Sequence, residues 1–265
     1  MTDPVTPTAD QQPVAIVTGA ARGLGRSTAL ALCRSGHRVV LAARSTRTQR
    51  HKLFVGSIED VRDEIEAAGG EALALAADLA DPASVDAIVG VTTDRFGRCD
   101  VLVNNAAYSP IGPFVEASVS KWRAALMVNV WAPAALTRAV LPGMLERGIG
   151  RIVNVGSSAA VATIPGAAPY CVTKSALERL TVAIQAELSP DSNVSVSCIR
   201  IEERIATEAD AMMAAQGIGG SVEVESPTTP AEFGDAVVWL TRQDNRVGGR
   251  IFTLAELRSL GAMGF

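Results

Sequence analysis

From Pro13 onward, short apolar runs alternate with longer stretches whose apolar residues recur every three to four positions. Val14 to Thr18 predicts a buried strand, and the turn Gly19 to Gly25 leads at once into an amphipathic helix that runs through Cys33 and stops at Gly36. Arg38 to Ala43 predicts a second strand, Ser57 caps a helix carrying Ile58, Val61 and Ile65, and Ala72 to Ala77 predicts a third strand. Asp81-Pro82 opens another helix, Asp100 to Asn104 is a fourth strand, Ser120 to Glu146 a long helix, and Arg151 to Val155 a fifth strand. Pro169 lies in the first turn of a helix that puts Leu177, Leu180, Ile184 and Leu188 on one face. Val194 to Ile199, helical patterns at 207–215 and 230–241, and a last strand at Arg250 to Leu254 complete the series. Strands and helices in alternation predict an α/β fold in one domain: a doubly wound parallel sheet of about seven strands with helices on both faces. Residues 1–12 have almost nothing to bury and read as a disordered tail, leaving 13–265 as the domain.

Composition narrows the function. The 265 residues are 48% hydrophobic and 4% aromatic with a net charge of −4, the profile of one large soluble domain with no nucleic-acid or membrane partner. No basic-then-apolar leader opens the chain, and no run approaches the roughly eighteen apolar residues of a transmembrane helix. Cys33, Cys99, Cys171 and Cys198 are isolated, and the chain has two histidines, so the reading is free thiols in a reducing cytoplasm and no metal site.

Two stretches carry chemistry. In Thr18-Gly19-Ala20-Ala21-Arg22-Gly23-Leu24-Gly25 the glycines allow a tight bend and close approach of backbone to a pyrophosphate, whose charge the N–H groups at the helix start can meet. Its spacing is G-x-x-x-G-x-G, not the G-x-G-x-x-G of the usual dinucleotide turn. In the second stretch, Tyr170 and Lys174 are one helical turn apart on the same face. A phenol holds its proton at neutral pH, so chemistry at Tyr170 needs a stabilised phenolate. A cation about 4 Å away, at an effective dielectric near 20, supplies roughly 4 kcal/mol. Ser157, thirteen residues upstream of Tyr170, ends the preceding strand, where open α/β sheets place their ligands.

Taken together, T-G-A-A-R-G-L-G at 18–25, Asp78 after the third strand, Asn104-Asn105-Ala106 after the fourth, Asn129, Ser157 and Tyr170-x-x-x-Lys174 resemble the short-chain dehydrogenases/reductases, in order and spacing, from residue 13 to about 254. The resemblance implies a Rossmann-type sheet, a nicotinamide cofactor and a catalytic tetrad of Asn129, Ser157, Tyr170 and Lys174. Tyr170 would exchange a proton with the substrate oxygen, Ser157 would hydrogen-bond that oxygen, Lys174 would support the phenolate and bind the nicotinamide ribose, and Asn129 would hold a relay water. It further implies cofactor contacts from Gly19, Ala21, Arg22, Gly23, Leu24, Gly25, Arg44, Asp78, Leu79, Asn105, Ala106, Ala107 and Thr207 besides Tyr170 and Lys174, and a homo-oligomer, tetramer or dimer.

The second strand ends Ala43-Arg44, with no acid to meet an adenosine ribose, and Arg22 stands in the glycine turn; this favours NADP(H) over NAD(H). The following run, with Arg47, Arg50, His51 and Lys52 and no acid, resembles a longer loop of hydroxysteroid-dehydrogenase-like members and suggests phosphate attraction, with a merely solvated loop as the alternative. Two departures stand out. Arg200-Ile201-Glu202-Glu203 replaces the Pro-Gly of many relatives, and Ala107 replaces a glycine. Residues from about 201 to 222, with Met212 and Met213, have the composition of a substrate lid. The substrate reads as a small apolar or alicyclic alcohol/carbonyl pair; a β-ketoacyl reductase and a catalytically silent nucleotide-binding regulator are the alternatives. Pro133, four residues after Asn129, removes the N–H that would bond the Asn129 carbonyl, and is expected either to expose that carbonyl to the relay water beside Lys174 or simply to kink the long helix.

Overall fold

In the computed structural model, residues 12–51, 54–207 and 228–264 are described. Seven parallel strands form one sheet: β1 (Val14–Thr18), β2 (Arg38–Ala43), β3 (Ala72–Ala76), β4 (Val101–Asn104), β5 (Ile149–Ser157), β6 (Asn193–Ile201) and β7 (Ile251–Thr253), in the order β3-β2-β1-β4-β5-β6-β7. β1 and β4 are fully buried and, apart from their last residues Thr18 and Asn104, made of Val, Ile, Leu and Ala, because a parallel sheet covered on both faces leaves no polar side. On one face pack α1 (Gly23–Arg34), α2 (Ile58–Ala67), α7 (Pro230–Arg242) and α8 (Leu254–Ser259), through Leu32, Ile65, Phe233 and Leu257 among others. On the other, α3 (Pro82–Phe96) and α5 (Ala132–Arg147) bury Ile88, Leu136 and Met144. Strand order reverses between β1 and β4, which opens the ligand crevice of doubly wound sheets at their carboxyl ends.

Three elements differ from expectation, each for a physical reason. β5 and β6 pair over nine residues, through Ser157↔Ile201, and so run past the expected Arg151–Val155 and Val194–Ile199. Gly156 in that strand answers to close packing: a Cβ there would sit 2.8 Å from Cys198 Sγ and 3.1 Å from Glu178 Oε1. The long helix is two helices: α4 (Val119–Leu126) and α5, joined by a π turn over Met127–Trp131 in which the Ala132 N–H reaches back to the Met127 carbonyl. The π turn lies directly before Pro133, where the missing N–H breaks the helical ladder. By length and composition Val119–Arg147 would suffice to cross a membrane, but Leu136, Val140 and Met144 are buried against the sheet.

The third difference is α6 (Ala168–Ala186). Of its expected stripe Leu177, Leu180, Ile184 and Leu188, Leu177 is buried and the others are half-buried, Ile184 and Leu188 packing against the core; the other buried positions are Pro169, Thr173, Lys174, Glu178 and Thr181. A helix hides polar side chains on this scale only when each finds a partner. The expected lid and the 207–215 helical pattern, with Met212 and Met213, lie outside the described residues from 208 on; Ile205, before them, is buried in the core.

Candidate active site

The glycine turn joins β1 to α1 at the crevice. Gly19 has φ of 68° and Gly23 of 52°, backbone that a side chain would strain. Gly19 and Gly25 also have no room for a Cβ: at Gly19 it would meet Ala106 Cα at 2.9 Å, and at Gly25 the Gly19 carbonyl oxygen at 2.3 Å. Asn105 clamps the turn from the neighbouring strand, its Nδ2 donating to the Thr18 carbonyl at 2.8 Å. Thr18 Oγ1 accepts from the backbone N–H of Asn105 (3.0 Å) and of Ala106 (3.1 Å). α1 starts with no side-chain cap and no acid in its first turn, so no side chain of the helix start takes its leading N–H groups. Gly19, Ala21, Arg22, Gly23, Leu24, Gly25, Asn105 and Ala106 are thus gathered in one cradle, with exposed Ala107 at its edge. Asp78, just past β3, accepts from the Ala80 N–H at 3.0 Å and starts the turn containing the buried Leu79.

Across the crevice, β5 and α6 bring the second group together. Lys174 is 2% exposed, and its ammonium donates to the Val155 carbonyl at 2.6 Å while lying 5.6 Å from the centre of the Tyr170 ring. The cation is held beside the phenol by main chain of the strand that ends in Ser157. Ser157 closes that strand, and its Oγ accepts from the Ala159 N–H at 3.2 Å. Asn129, 1% exposed in the π turn, uses its amide as a clip: Oδ1 accepts from the Tyr108 N–H, and Nδ2 donates to the Tyr108 carbonyl, both at 2.8 Å, and to Thr173 Oγ1 at 2.9 Å. Thr173 in turn donates to the Tyr170 carbonyl at 2.9 Å. Asn129 therefore ties the segment after β4 to the first turn of α6, through its side chain.

A family described as short chain dehydrogenase matches residues 13–213. The chain belongs to the short-chain dehydrogenase family. It is 36% identical over 176 residues, 66% of this chain and 68% of the other, to a 3-oxoacyl-[acyl-carrier-protein] reductase of Synechocystis sp.. Among solved structures it is similar to a metagenomic short-chain oxidoreductase in complex with NADP, at 31% identity and a TM-score of 0.74, covering 93% of this chain and 97% of that one. It is also similar to a single-residue variant of actinorhodin polyketide ketoreductase with NADPH, at 27% identity and a TM-score of 0.82, covering 95% and 98%. As a short-chain dehydrogenase the chain is an NAD(P)-dependent oxidoreductase.

At the end of β2 this short-chain dehydrogenase carries a cationic corner. Arg22 Nη1 donates to Ser45 Oγ at 3.2 Å, and its guanidinium lies 4.6 Å over the Phe54 ring, which packs against His51 with ring centres 4.7 Å apart. Arg44 is exposed beside them. Burial, and then the charges of Arg22 and Arg44, hold His51 below the usual histidine range, so the corner's charge rests on the two arginines. For Arg47 the phosphate-attracting reading is corrected. Its Nε donates to Asp60 at 2.9 Å, its Nη2 to Asp63 at 2.5 Å, and its N–H to Glu59 at 3.0 Å, so it fastens the loop to α2. The run itself has no acid, but the next helix supplies three. Thr207 is half-buried at the edge of the described residues.

Several residues of the site were not anticipated. Thr173 was not, although its place between Tyr170 and Lys174 on the buried side of α6 is a readable signal. Asn154 was not either: its Oδ1 accepts from Asn104 Nδ2 at 2.8 Å and its Nδ2 donates to Thr181 at 2.9 Å, a buried amide bridge from β4 through β5 to α6. Glu178 is one turn beyond Lys174, 8% exposed, and takes a two-point hydrogen bond from Arg200, with Nε at 2.8 Å and Nη2 at 2.7 Å. Neither member of that pair follows from hydrophobic periodicity, which counts both as surface.

Proposed function

We propose that this short-chain dehydrogenase transfers hydride between NADP(H) and an alcohol/carbonyl pair on a small substrate. One observation carries the reading: a buried ammonium fixed to the Val155 carbonyl beside the Tyr170 phenol, across the crevice from a glycine turn with no room for a Cβ. The cradle fits a dinucleotide, since its two closest glycines leave main chain exposed to a pyrophosphate, and Arg22 and Arg44 offer charge for a 2′-phosphate where NAD-preferring relatives tend to carry an acid. Gly19, Ala21, Arg22, Gly23, Leu24, Gly25, Arg44, Asp78, Leu79, Asn105, Ala106 and Ala107 would hold the cofactor, with Tyr170, Lys174 and Thr207 toward its nicotinamide end. When bound, the nicotinamide supplies or receives the hydride.

The protein's own residues handle the proton. Tyr170 gives a proton to the carbonyl oxygen in reduction and takes it back in oxidation. Ser157, at the carboxyl end of β5, hydrogen-bonds the same oxygen and fixes its position. Lys174 favours the phenolate by its charge, and its tie to Val155 keeps the ammonium from swinging into solvent. Asn129 holds the Tyr108 segment and, through Thr173, the first turn of α6, and so sets where Tyr170 stands.

Similarity to a 3-oxoacyl-[acyl-carrier-protein] reductase and to a polyketide ketoreductase favours a second reading of the substrate, a β-ketoacyl thioester in place of an alicyclic ketone. An oligomer is part of the proposal, supported by exposed apolar residues on α4, α6 and the segment before α4: Phe114, Val115, Val119 and Val172 are 50% exposed or more. The test is a panel of alicyclic ketones, secondary alcohols and β-ketoacyl thioesters, each with NADPH or NADP and with NADH or NAD, read by nicotinamide absorbance. Turnover of at least one carbonyl with NADPH supports the proposal. Cofactor binding without turnover of any member would favour a silent nucleotide-binding regulator.

A further inference from the structure

The oxidoreductase reading leaves Glu178 and Arg200 without a role, although together they place a buried ion pair one helical turn from Lys174. α6 carries Tyr170, Lys174 and Glu178 at successive four-residue steps on its buried side. A lysine and a glutamate at that spacing can pair, more weakly with the lysine first, as here, than in the reverse order. Here they do not. Both oxygens of Glu178 are taken by the Arg200 fork, at 2.8 and 2.7 Å, while the Lys174 ammonium is bonded 2.6 Å from the Val155 carbonyl. The two anchor points are consecutive residues of β5: Val155 receives Lys174, and Gly156, whose strand partner is Arg200, lies against the Glu178 carboxylate. An ideal Cβ on Gly156 would come within 3.1 Å of Glu178 Oε1, so this carboxylate sits against bare main chain.

The charges facing this point can be named element by element among the described residues. α6 contributes Tyr170, Lys174 and Glu178; β5 contributes only main chain; β6 contributes Arg200 and the buried Cys198 thiol; and the residue after β6, half-exposed Glu202, lies 3.8 Å from Arg200. Cys198 reports their closeness. Burial first, and then the Glu178 charge, push its thiol up to about 12, while Lys174 and Arg200 both pull the other way.

We propose that Arg200 is a positioning residue for proton transfer: by holding both oxygens of Glu178 it keeps that carboxylate from pairing with Lys174, and so leaves the ammonium's charge directed at Tyr170. The proposal rests on Tyr170 as the proton-transfer group. It also gives a role to the stretch Arg200-Ile201-Glu202, where many relatives have Pro-Gly. Without Arg200, Glu178 has Lys174 one turn away on the same face of the helix, a cation that the carboxylate would neutralise and draw away from the phenol. Without Glu178, Arg200 becomes an uncompensated cation behind Lys174. The two losses act on the Tyr170 phenolate in opposite directions, whereas a purely structural pair, once broken, would disturb the site in the same way from either side.

The experiment compares Arg200→Met, Glu178→Gln and the double variant with the native chain by two readouts. The first is the pH profile of kcat/KM with NADPH and whichever carbonyl the panel identifies. The second needs no substrate: phenolate absorbance in a Tyr108→Phe background, where Tyr170 is the one tyrosine left, since the chain has two. Arg200→Met should move both midpoints about one pH unit alkaline, Glu178→Gln should move them acid by a similar amount, and the double variant should return close to the native value. Should Arg200→Met not fold, the acid shift of Glu178→Gln and its cancellation in the double variant still decide. Midpoints that stay in place, or that move the same way in both single variants, overturn the proposal. Absence of turnover in the native enzyme would count against the oxidoreductase reading alone, because the phenolate titration judges Arg200 independently.

Discussion

Gly25 sets helix propensity against packing, and the two predict opposite signs for Gly25→Ala. The position is inside α1, where replacing glycine by alanine favours an unstrained helix by about 0.5–1 kcal/mol. The new methyl, however, would lie 2.3 Å from the Gly19 carbonyl oxygen and 2.6 Å from Asn105 Nδ2. Carbon and oxygen normally approach no closer than about 3.3 Å, so main chain on one side must move by roughly 1 Å. Overpacking of this kind costs about 1–3 kcal/mol and outweighs propensity. At about 2–4 °C per kcal/mol for a domain of this size, the melting temperature should fall by several degrees. The moving carbonyl belongs to the turn that would hold the pyrophosphate, so NADPH affinity should fall at least about tenfold, or roughly 1.4 kcal/mol. Gly90→Ala is the control: Gly90 is exposed in α3, an added Cβ would have nothing within 4 Å, and the variant should gain about 0.5–1 kcal/mol with unchanged cofactor binding. The assays are thermal unfolding and titration of NADPH by fluorescence. A Gly25→Ala protein as stable as Gly90→Ala, with native NADPH affinity, would refute the packing argument.

Two further outcomes follow from the cationic corner and the buried thiols. Arg44→Ala should narrow the preference for NADPH over NADH by about tenfold to a hundredfold, mostly through KM, as befits a lost charge-assisted contact to a 2′-phosphate; steady-state kinetics with both cofactors check this, and an unchanged ratio would move the assignment to Arg22. Burial pushes the Cys99 and Cys198 thiols up to about 12, so at pH 8 neither carries appreciable thiolate, the reactive form. Iodoacetamide at that pH should label half-exposed Cys171 well before either, and unfolding should release all four; mass spectrometry of the labelled peptides would contradict this if Cys198 kept pace with Cys171.

Much of the fold was legible because a parallel sheet buried on both faces writes itself as apolar runs: β1 and β2 lie where Val14 to Thr18 and Arg38 to Ala43 place them. The glycine turn was legible for a related reason, since Gly19 and Gly25 answer to local backbone and close approach. What periodicity could not carry were partnerships between distant elements. Arg47 reads as a free cation until α2 brings Asp60 and Asp63 to it. The inner face of α6 reads as leucine and isoleucine, and Leu177 is buried there, but Thr173, Lys174, Glu178 and Thr181 share that face because Asn129, Val155, Arg200 and Asn154 stand opposite. Asn129 illustrates the same limit. Its position was legible, but its hold on Tyr108 depends on a π turn that a continuous helical pattern conceals.

The central claim is that Tyr170 moves the proton while hydride passes between the nicotinamide and the substrate, and its most direct test is Tyr170→Phe. The hydroxyl is the one group removed, and positioned general acids typically contribute about 10²–10⁴-fold. The account predicts that kcat with NADPH and the best carbonyl of the panel falls by at least about a hundredfold, while NADPH affinity and melting temperature stay close to native. A Tyr170→Phe enzyme that keeps a large part of its turnover would contradict it.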